Sequence, residues 1–384
     1  MTDEKSAPAS PAPSETTPQS SRPSPTTRSR LRLPIYGLEL FVLANLVLTL
    51  VILRLHHLRI DWNTFVYIVH PLFVSLPNLF VLGLIVALLL RIVQRKPLGE
   101  LLARLKRPGW WIEWARMWIA IMLTTYTYFW LKVNVPILNG SSWDEAFWEL
   151  DILLHLRISP TILVTQLFKG SVLTGFMDSW YTVWKETVML ASSGFLVLYE
   201  GEQRRRFAFA TVMLWIFGAW GYVLFPAVGP VYVYTAHFVE IMSELPDATA
   251  GQMTLWQNYK TILAGMAGEQ IHSFNPTQGV AAMPSLHVAA HAFFAFWTWR
   301  HFRPLFIFFF VATGLTLIGS VLTGWHYAVD GYAGILLAYV CFKLVDRGFP
   351  RDLEDSGPKD PDLKETDPEA PATQEIEAAG AQDA

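Results

Sequence analysis

The stretch AAMPSLHVAAHAFF, residues 281–294, sits in a chain that otherwise reads as membrane. It opens an apolar helix with Pro-Ser-Leu-His and carries a second histidine, His291, one turn after His287. An imidazole is costly in hydrocarbon unless it has a partner or a task, so this helix start calls for an explanation. The surroundings set the terms. Of 384 residues, 52% are hydrophobic and 14% aromatic, and only 16% are charged, against roughly 25% in soluble domains. A spanning helix needs about 20 predominantly apolar residues. Eight runs qualify, near 36–54, 72–93, 114–131, 179–199, 207–226, 284–301, 304–322 and 326–346. The expectation is an all-α polytopic membrane protein with about eight transmembrane helices and no internal repeat.

The ends of the chain differ from its middle. Residues 1–32 are rich in Ser, Pro and Thr and lack the apolar run of a signal peptide. Residues 349–384 are rich in Pro, Ala, Glu and Asp; from 350 onward they hold eleven acidic residues against three basic ones. Neither segment can bury enough apolar surface to fold. They are read as disordered tails flanking a membrane domain over 33–348. A lone cysteine, Cys341, excludes an internal disulfide framework. The net charge of −3 says nothing about partners, and the basic clusters are short and adjoin spans, which argues against nucleic acid.

Those clusters orient the chain. Arg28, Arg30 and Arg32 precede the first span. Arg91, Arg95, Lys96, Arg104, Lys106 and Arg107 follow the second, and Arg204, Arg205 and Arg206 follow the fourth. Arg300 and Arg303 divide the sixth from the seventh, and Lys343 and Arg347 close the eighth. With eight spans all of them fall on one side, and the positive-inside rule makes that side cytoplasmic. Both tails are then cytoplasmic, and the long connections 132–178 and 227–283, rich in Trp, Tyr and Pro, lie outside.

Placed on this frame, the polar residues gather at the outer rim. PSLH begins the sixth span there, and TGWHYAVDGYAG, residues 323–334, begins the eighth. On a helix Asp330 lies one turn below His326 on the same stripe. A carboxylate so placed accepts the Nδ1–H of His326, fixes the tautomer and leaves Nε2 free. Pro284 suits a first helical turn. The amides of Ser285, Leu286 and His287, with the Ser285 hydroxyl, would present a phosphate-sized anion site at the positive end of the helix dipole. His291 reads as packing or as support for His287. A metal site built from His287, His291, His326 and Asp330 has suitable residue types, but nothing in the sequence requires a metal or another cofactor. His56, His57, His70 and His155 have no partner legible in the sequence.

PSLH followed about forty residues later by GWHYAVD resembles the second and third motifs of the type-2 phosphatidic acid phosphatase superfamily, P-S-G-H and S-R-x5-H-x3-D. The Leu in place of Gly, the HYAVD run and GYVLFPAVGP (residues 221–230) are closer to the branch of fungal inositol phosphorylceramide synthases, inositolphosphotransferases, and related bacterial proteins. The resemblance carries motif-level support over about 220–335. It implies a helical-bundle catalytic core at the outer face and a phosphohistidine mechanism. His326 would be the nucleophile, activated by Asp330; His287 would protonate the leaving alcohol and then deprotonate the acceptor; Ser285 would help bind the phosphoryl oxygens. Two elements of the family pattern are missing. K-x6-R-P is absent before FPAVGP, and the Arg position six residues before His326 holds Ser320. A phosphoryl transition state needs cations, and Lys185, near the outer end of the fourth span, is the first candidate to supply one. The implied activity is transfer of a phosphate-linked headgroup between phospholipid or sphingolipid-type substrates in the plasma or inner membrane, with an extracytoplasmic site. Hydrolysis by water on the same residues is the alternative. A transporter fits less well, because the polar groups sit at one face and not along a path through the midplane.

Overall fold

The computed structural model describes residues 37–58, 62–268 and 274–348. The two tails, with Arg28, Arg30 and Arg32, lie outside the described residues. Fourteen α-helices and no strand occur among those described. They are α1 (Gly37–Leu55), α2 (Trp62–Val93), α3 (Leu98–Leu105), α4 (Pro108–Leu138), α5 (Asp144–Leu154), α6 (Pro160–Phe168), α7 (Val172–Thr182), α8 (Trp184–Leu198), α9 (Gly201–Leu224), α10 (Pro230–Val233), α11 (Pro246–Met266), α12 (Leu286–His301), α13 (Phe306–Leu322) and α14 (Ala328–Gly348).

The eight apolar runs are helical, the fourth (179–199) broken at Val183 between α7 and α8, but they differ in reach. Five are long and apolar enough to cross a membrane: Gly37–Leu55, Phe65–Val93, Gly201–Leu224, Arg303–Leu322 and Ala328–Arg347. This is the signature of a membrane protein. The other three fall short for separate reasons. Helices α8 and α12 have only 15 and 16 residues. Helix α4 has 31, but its Trp, Tyr, Thr and Asn residues dilute its apolar character. Many of its aromatic residues face inward, among them the buried Trp110, Trp114, Trp118, Tyr126, Tyr128 and Trp130.

The bundle packs α12 against α13 and α14, α4 against α9, α14 against α9 and α2 against α8. Its main core joins Leu131 and Tyr128 of α4, Tyr222 of α9, Leu286 and Phe293 of α12 and Ala338 of α14. Apolar side chains on the outside of the bundle, such as Leu40 and Val51 of α1 or Ile307 and Phe310 of α13, are well exposed, as a lipid-facing surface requires. Inside, polar groups are paired. Asn45 of α1 donates to the Thr127 hydroxyl at 2.9 Å and accepts from Trp220 Nε1 at 2.8 Å, tying α1, α4 and α9 together.

Where α14 crosses the start of α12 the backbones nearly touch. A Cβ on Gly334 would collide with the Ser285 carbonyl oxygen and come within 3.3 Å of the Ala289 nitrogen. Only glycine permits this approach, which brings the two histidine-bearing segments together. Gly334→Ala should therefore destabilise the protein by about 1–3 kcal/mol through overpacking and lower its thermal midpoint in detergent. An unchanged midpoint would show that the crossing has slack.

Candidate active site

The ends of several elements converge at one end of the bundle: the starts of α8, α12 and α14, and the ends of α4, α7 and α9. Helix α12 begins with Ser285 as N-cap, its hydroxyl accepting from Val288 N at 3.5 Å. Pro284 therefore precedes the cap instead of occupying the first helical turn. It packs on α9, where a Cβ at Gly221 would lie 2.5 Å from its Cδ. The Ser285 amide, expected to be free, donates to the Asp330 carbonyl at 2.9 Å. The amides of Leu286 and His287 remain as first-turn donors without an intrahelical acceptor, next to the Ser285 hydroxyl.

His326 does not lie on a helix with Asp330, because α14 starts two residues later, at Ala328. The turn before it gives the same result. His326 Nδ1 comes within 3.4 Å of Asp330 Oδ2, and both residues are buried. Neither His326 Nδ1 nor Asp330 Oδ1 has a hydrogen-bond partner among the described residues, while Asp330 Oδ2 also accepts from Tyr327 N at 2.9 Å and the His326 ring is bonded to the Ala282 carbonyl. Such contacts often tighten only when substrate binds. The rings of His287 and His326 stand edge to face with centroids 5.1 Å apart.

Carboxylates from the acidic connection fix this arrangement. Asp151 of α5 accepts from Ala328 N and Val329 N, each at 2.8 Å, and so caps α14. Asp144 accepts from Val228 N and Gly229 N and from the Tyr327 hydroxyl at 2.9 Å, which pins FPAVGP to the residue beside His326. Ala282 N bonds the Ala227 carbonyl at 2.8 Å. FPAVGP is therefore more than a turn, since it joins α5 to the segment that leads into PSLH. His155, which had no legible partner, meets the Asp151 carbonyl at 2.6 Å and the Tyr332 hydroxyl at 2.7 Å.

His287 is held by residues the sequence reading missed. Its Nδ1 is hydrogen-bonded to the buried Tyr181 hydroxyl, and the Trp184 ring packs against its ring, tilted by 42° with centroids 4.2 Å apart. His291 is fully buried. It reaches the Thr187 hydroxyl through Nε2 at 2.9 Å, and the His287 carbonyl at 3.2 Å and Thr316 at 3.3 Å through Nδ1. It braces the backbone of His287 and does not face the other ring. Lys185 is not brought to the pair. Its side chain is exposed and lies 3.7 Å from Glu186. Neighbours on a helix point about 100° apart, and Trp184 takes the inward direction. Among the described residues, Lys132 of α4 is the cation whose charge is felt at both His287 and His326. The one sequence hint at it was a lysine set among the apolar and aromatic residues at the end of the third span.

With this geometry in place, the class is that of an all-helical membrane protein with paired imidazoles backed by one carboxylate. The chain belongs to the PAP2 superfamily: the family's model matches residues 145–344, just over half of the chain. Members of this superfamily act on phosphoester bonds. Comparison with curated proteins and with solved structures finds no match.

Asp151 also yields a prediction about pH. Burial pushes its carboxyl up to about 6, against the opposing pull of the two amides it accepts from. A carboxyl whose folded pKa exceeds its unfolded value stabilises the fold at low pH and loses that contribution as pH rises through the folded pKa. Asp151→Asn, permanently neutral, should therefore gain in thermal midpoint relative to the parent between about pH 4 and about pH 6.5, with no further gain above that. A constant difference, or one moving the other way, would contradict this.

Proposed function

We propose that the protein is an integral membrane lipid phosphotransferase that moves a phosphate-linked headgroup from one lipid to the hydroxyl of another through a phosphohistidine on His326. The observation that carries this reading is the pairing itself: two imidazoles 5.1 Å apart, one with a carboxylate 3.4 Å behind it. Asp330 orients His326 and stabilises positive charge on its ring, leaving Nε2 to attack phosphorus. His287 gives a proton to the departing alcohol. It then takes one from the incoming alcohol, which attacks the phosphohistidine and regenerates His326. Ser285 and the first amides of α12 hold the phosphoryl oxygens. The arrangement PSLH, HYAVD and FPAVGP favours the inositol phosphorylceramide synthase-like branch, with phospholipid and sphingolipid-type substrates. The distribution of Lys and Arg favours cytoplasmic tails over 1–32 and 349–384, a catalytic domain over 33–348, and a site at the outer face of the plasma or inner membrane.

His326→Ala and His287→Ala should each reduce turnover at least about a thousandfold, with thermal midpoints within a few degrees of the parent. Full activity in either variant removes the mechanism. A lipid labelled at phosphorus should leave an acid-labile adduct on His326 that mass spectrometry locates. Retention of the headgroup on that adduct, and its release by lipid alcohol faster than by water, would support transfer. Release by water alone would make the enzyme a lipid phosphatase.

A further inference from the structure

The connection from α4 to α8 changes character halfway. Residues 143–151 hold four carboxylates, Asp144, Glu145, Glu149 and Asp151, whereas residues 153–176 hold none; the charged residues there are Arg157 and Lys169. In this second half large apolar side chains stand clear of the bundle. Leu156 is 89% exposed and Val172 95%, and Leu153, Leu163, Leu167 and Phe176 are exposed as well. The helices that carry this segment, α5, α6 and α7, have 11, 9 and 11 residues, too few to cross a bilayer. In water so large an apolar patch invites association.

Leu156 is the clearest case. It follows α5 in the left-handed region, at φ +57°, with Arg157 next at +67°. The Arg157 amide donates to the Ile152 carbonyl at 2.8 Å, closing a helix stop that ordinarily places glycine where Leu156 stands. Leucine is a poor choice for that conformation, and an exposed leucine gains nothing from it in water. In hydrocarbon the same side chain is at home.

The contacts of α6 and α7 set their depth. Trp180 Nε1 donates to the Thr316 hydroxyl of α13 at 3.1 Å. A Cβ on Gly319 would lie 3.3 Å from Tyr181 Cδ2 and 3.4 Å from Met177 Cε. Val164 and Phe168 of α6 share an apolar cluster with Leu315 and Leu322 of α13. Thr316 and Gly319 lie about 9 Å and about 5 Å along the axis from the end of α13. That helix has 17 residues, so it is about 26 Å long, no more than the hydrocarbon core of about 30 Å. Whatever flanks its last two turns is therefore at membrane depth. On the other side His155 meets the Tyr332 hydroxyl at 2.7 Å. Tyr332 heads the exposed stripe Leu336, Tyr339 and Val340 of the spanning α14. The apolar patch thus continues the lipid-facing sides of two spans, and its lack of carboxylates suits the headgroups of an anionic leaflet.

We propose that residues 153–176 form a collar embedded in the leaflet at the site's end of the bundle, with Leu153, Leu156, Leu163, Leu167, Val172 and Phe176 among the acyl chains. Helix α7 presents Phe176 to this lipid phase and, through Tyr181, holds His287 on its inner side. The hydrocarbon then comes within the width of one helix, about 10 Å, of the paired imidazoles. The collar does not depend on the phosphohistidine step, and its test does not read turnover.

The experiment attaches a nitroxide to Leu156→Cys, Leu167→Cys and Phe176→Cys, one at a time, in the full-length Cys341→Ala protein. Each is reconstituted in vesicles of phosphatidylcholine and phosphatidylglycerol. Collisions with oxygen, which concentrates in hydrocarbon, are compared with collisions with a polar nickel chelate, which is excluded from it. Glu145→Cys, exposed on the acidic half, is the aqueous reference, and Phe310→Cys, exposed on α13, is the lipid reference. The oxygen-to-nickel ratio at the three collar positions should exceed that at Glu145→Cys at least about tenfold. Such a ratio at two or more of the three sustains the proposal, and any other pattern overturns it. Nickel access equal to that at Glu145→Cys makes the segment an aqueous loop. Shielding from both reagents makes it a contact with a second copy or another protein.

Discussion

The site depends on Asp151 gripping the first two amides of α14. Helix starts leave N–H groups without acceptors, and at α14 the first two belong to buried residues, Ala328 and Val329, away from solvent. Asp151 closes two of them, and Asp330 takes a third, from Tyr327 at 2.9 Å. Together they fix where α14 begins. His326, two residues before that start, is thereby aimed back at α12. Asp144 does the same for FPAVGP, and Asp178 of α7 for the start of α11, accepting from Asp247 N and Ala248 N at 2.9 Å. The acidic character of the long connections is thus only partly a solvated surface: Glu145, Glu149 and Glu240 are exposed. Three of their carboxylates are buried and serve as anchors.

A second constraint is close backbone approach. Gly334 against Ser285 and Gly279 against Lys132 let the motif loop lie flush on α14 and α4, and Gly229, at φ +101°, brings FPAVGP within 2.5 Å of the Trp325 carbonyl oxygen, measured from where its Cβ would stand. The two imidazoles come from segments about forty residues apart in the chain. They meet because these glycines remove the side chains that would hold the backbones apart, and because the carboxylates fix the register.

Much of this was legible in the sequence, for physical reasons that can be named. Apolar runs of spanning length mark helices, and the joint appearance of PSLH and HYAVD at span starts marks one rim. The relation of His326 to Asp330 was legible even though its geometry was not, because a tight turn before α14 replaces the helical stripe and still closes the distance. What stayed hidden was tertiary. Lys185 looked suitable by depth, but its direction depends on which face of α8 packs inward, and Trp184 took that face. Lys132 and Tyr181 lie far in sequence from both motifs and join the site only through the packing of α4 and α7. The reach of the spans was also hidden: α8 and α12 break off at 15 and 16 residues, where caps and turns, and not hydropathy, end the helix.

The central claim is that one phosphorus atom sits between His326 and His287. Orthovanadate, a mimic of the five-coordinate phosphorus of in-line attack, tests it in a single structure of the detergent-solubilised protein. The account predicts vanadium bonded to Nε2 of His326 and an apical oxygen within hydrogen-bond distance of His287. Vanadate bound away from His326, or bound there with His287 turned out of reach, would contradict it.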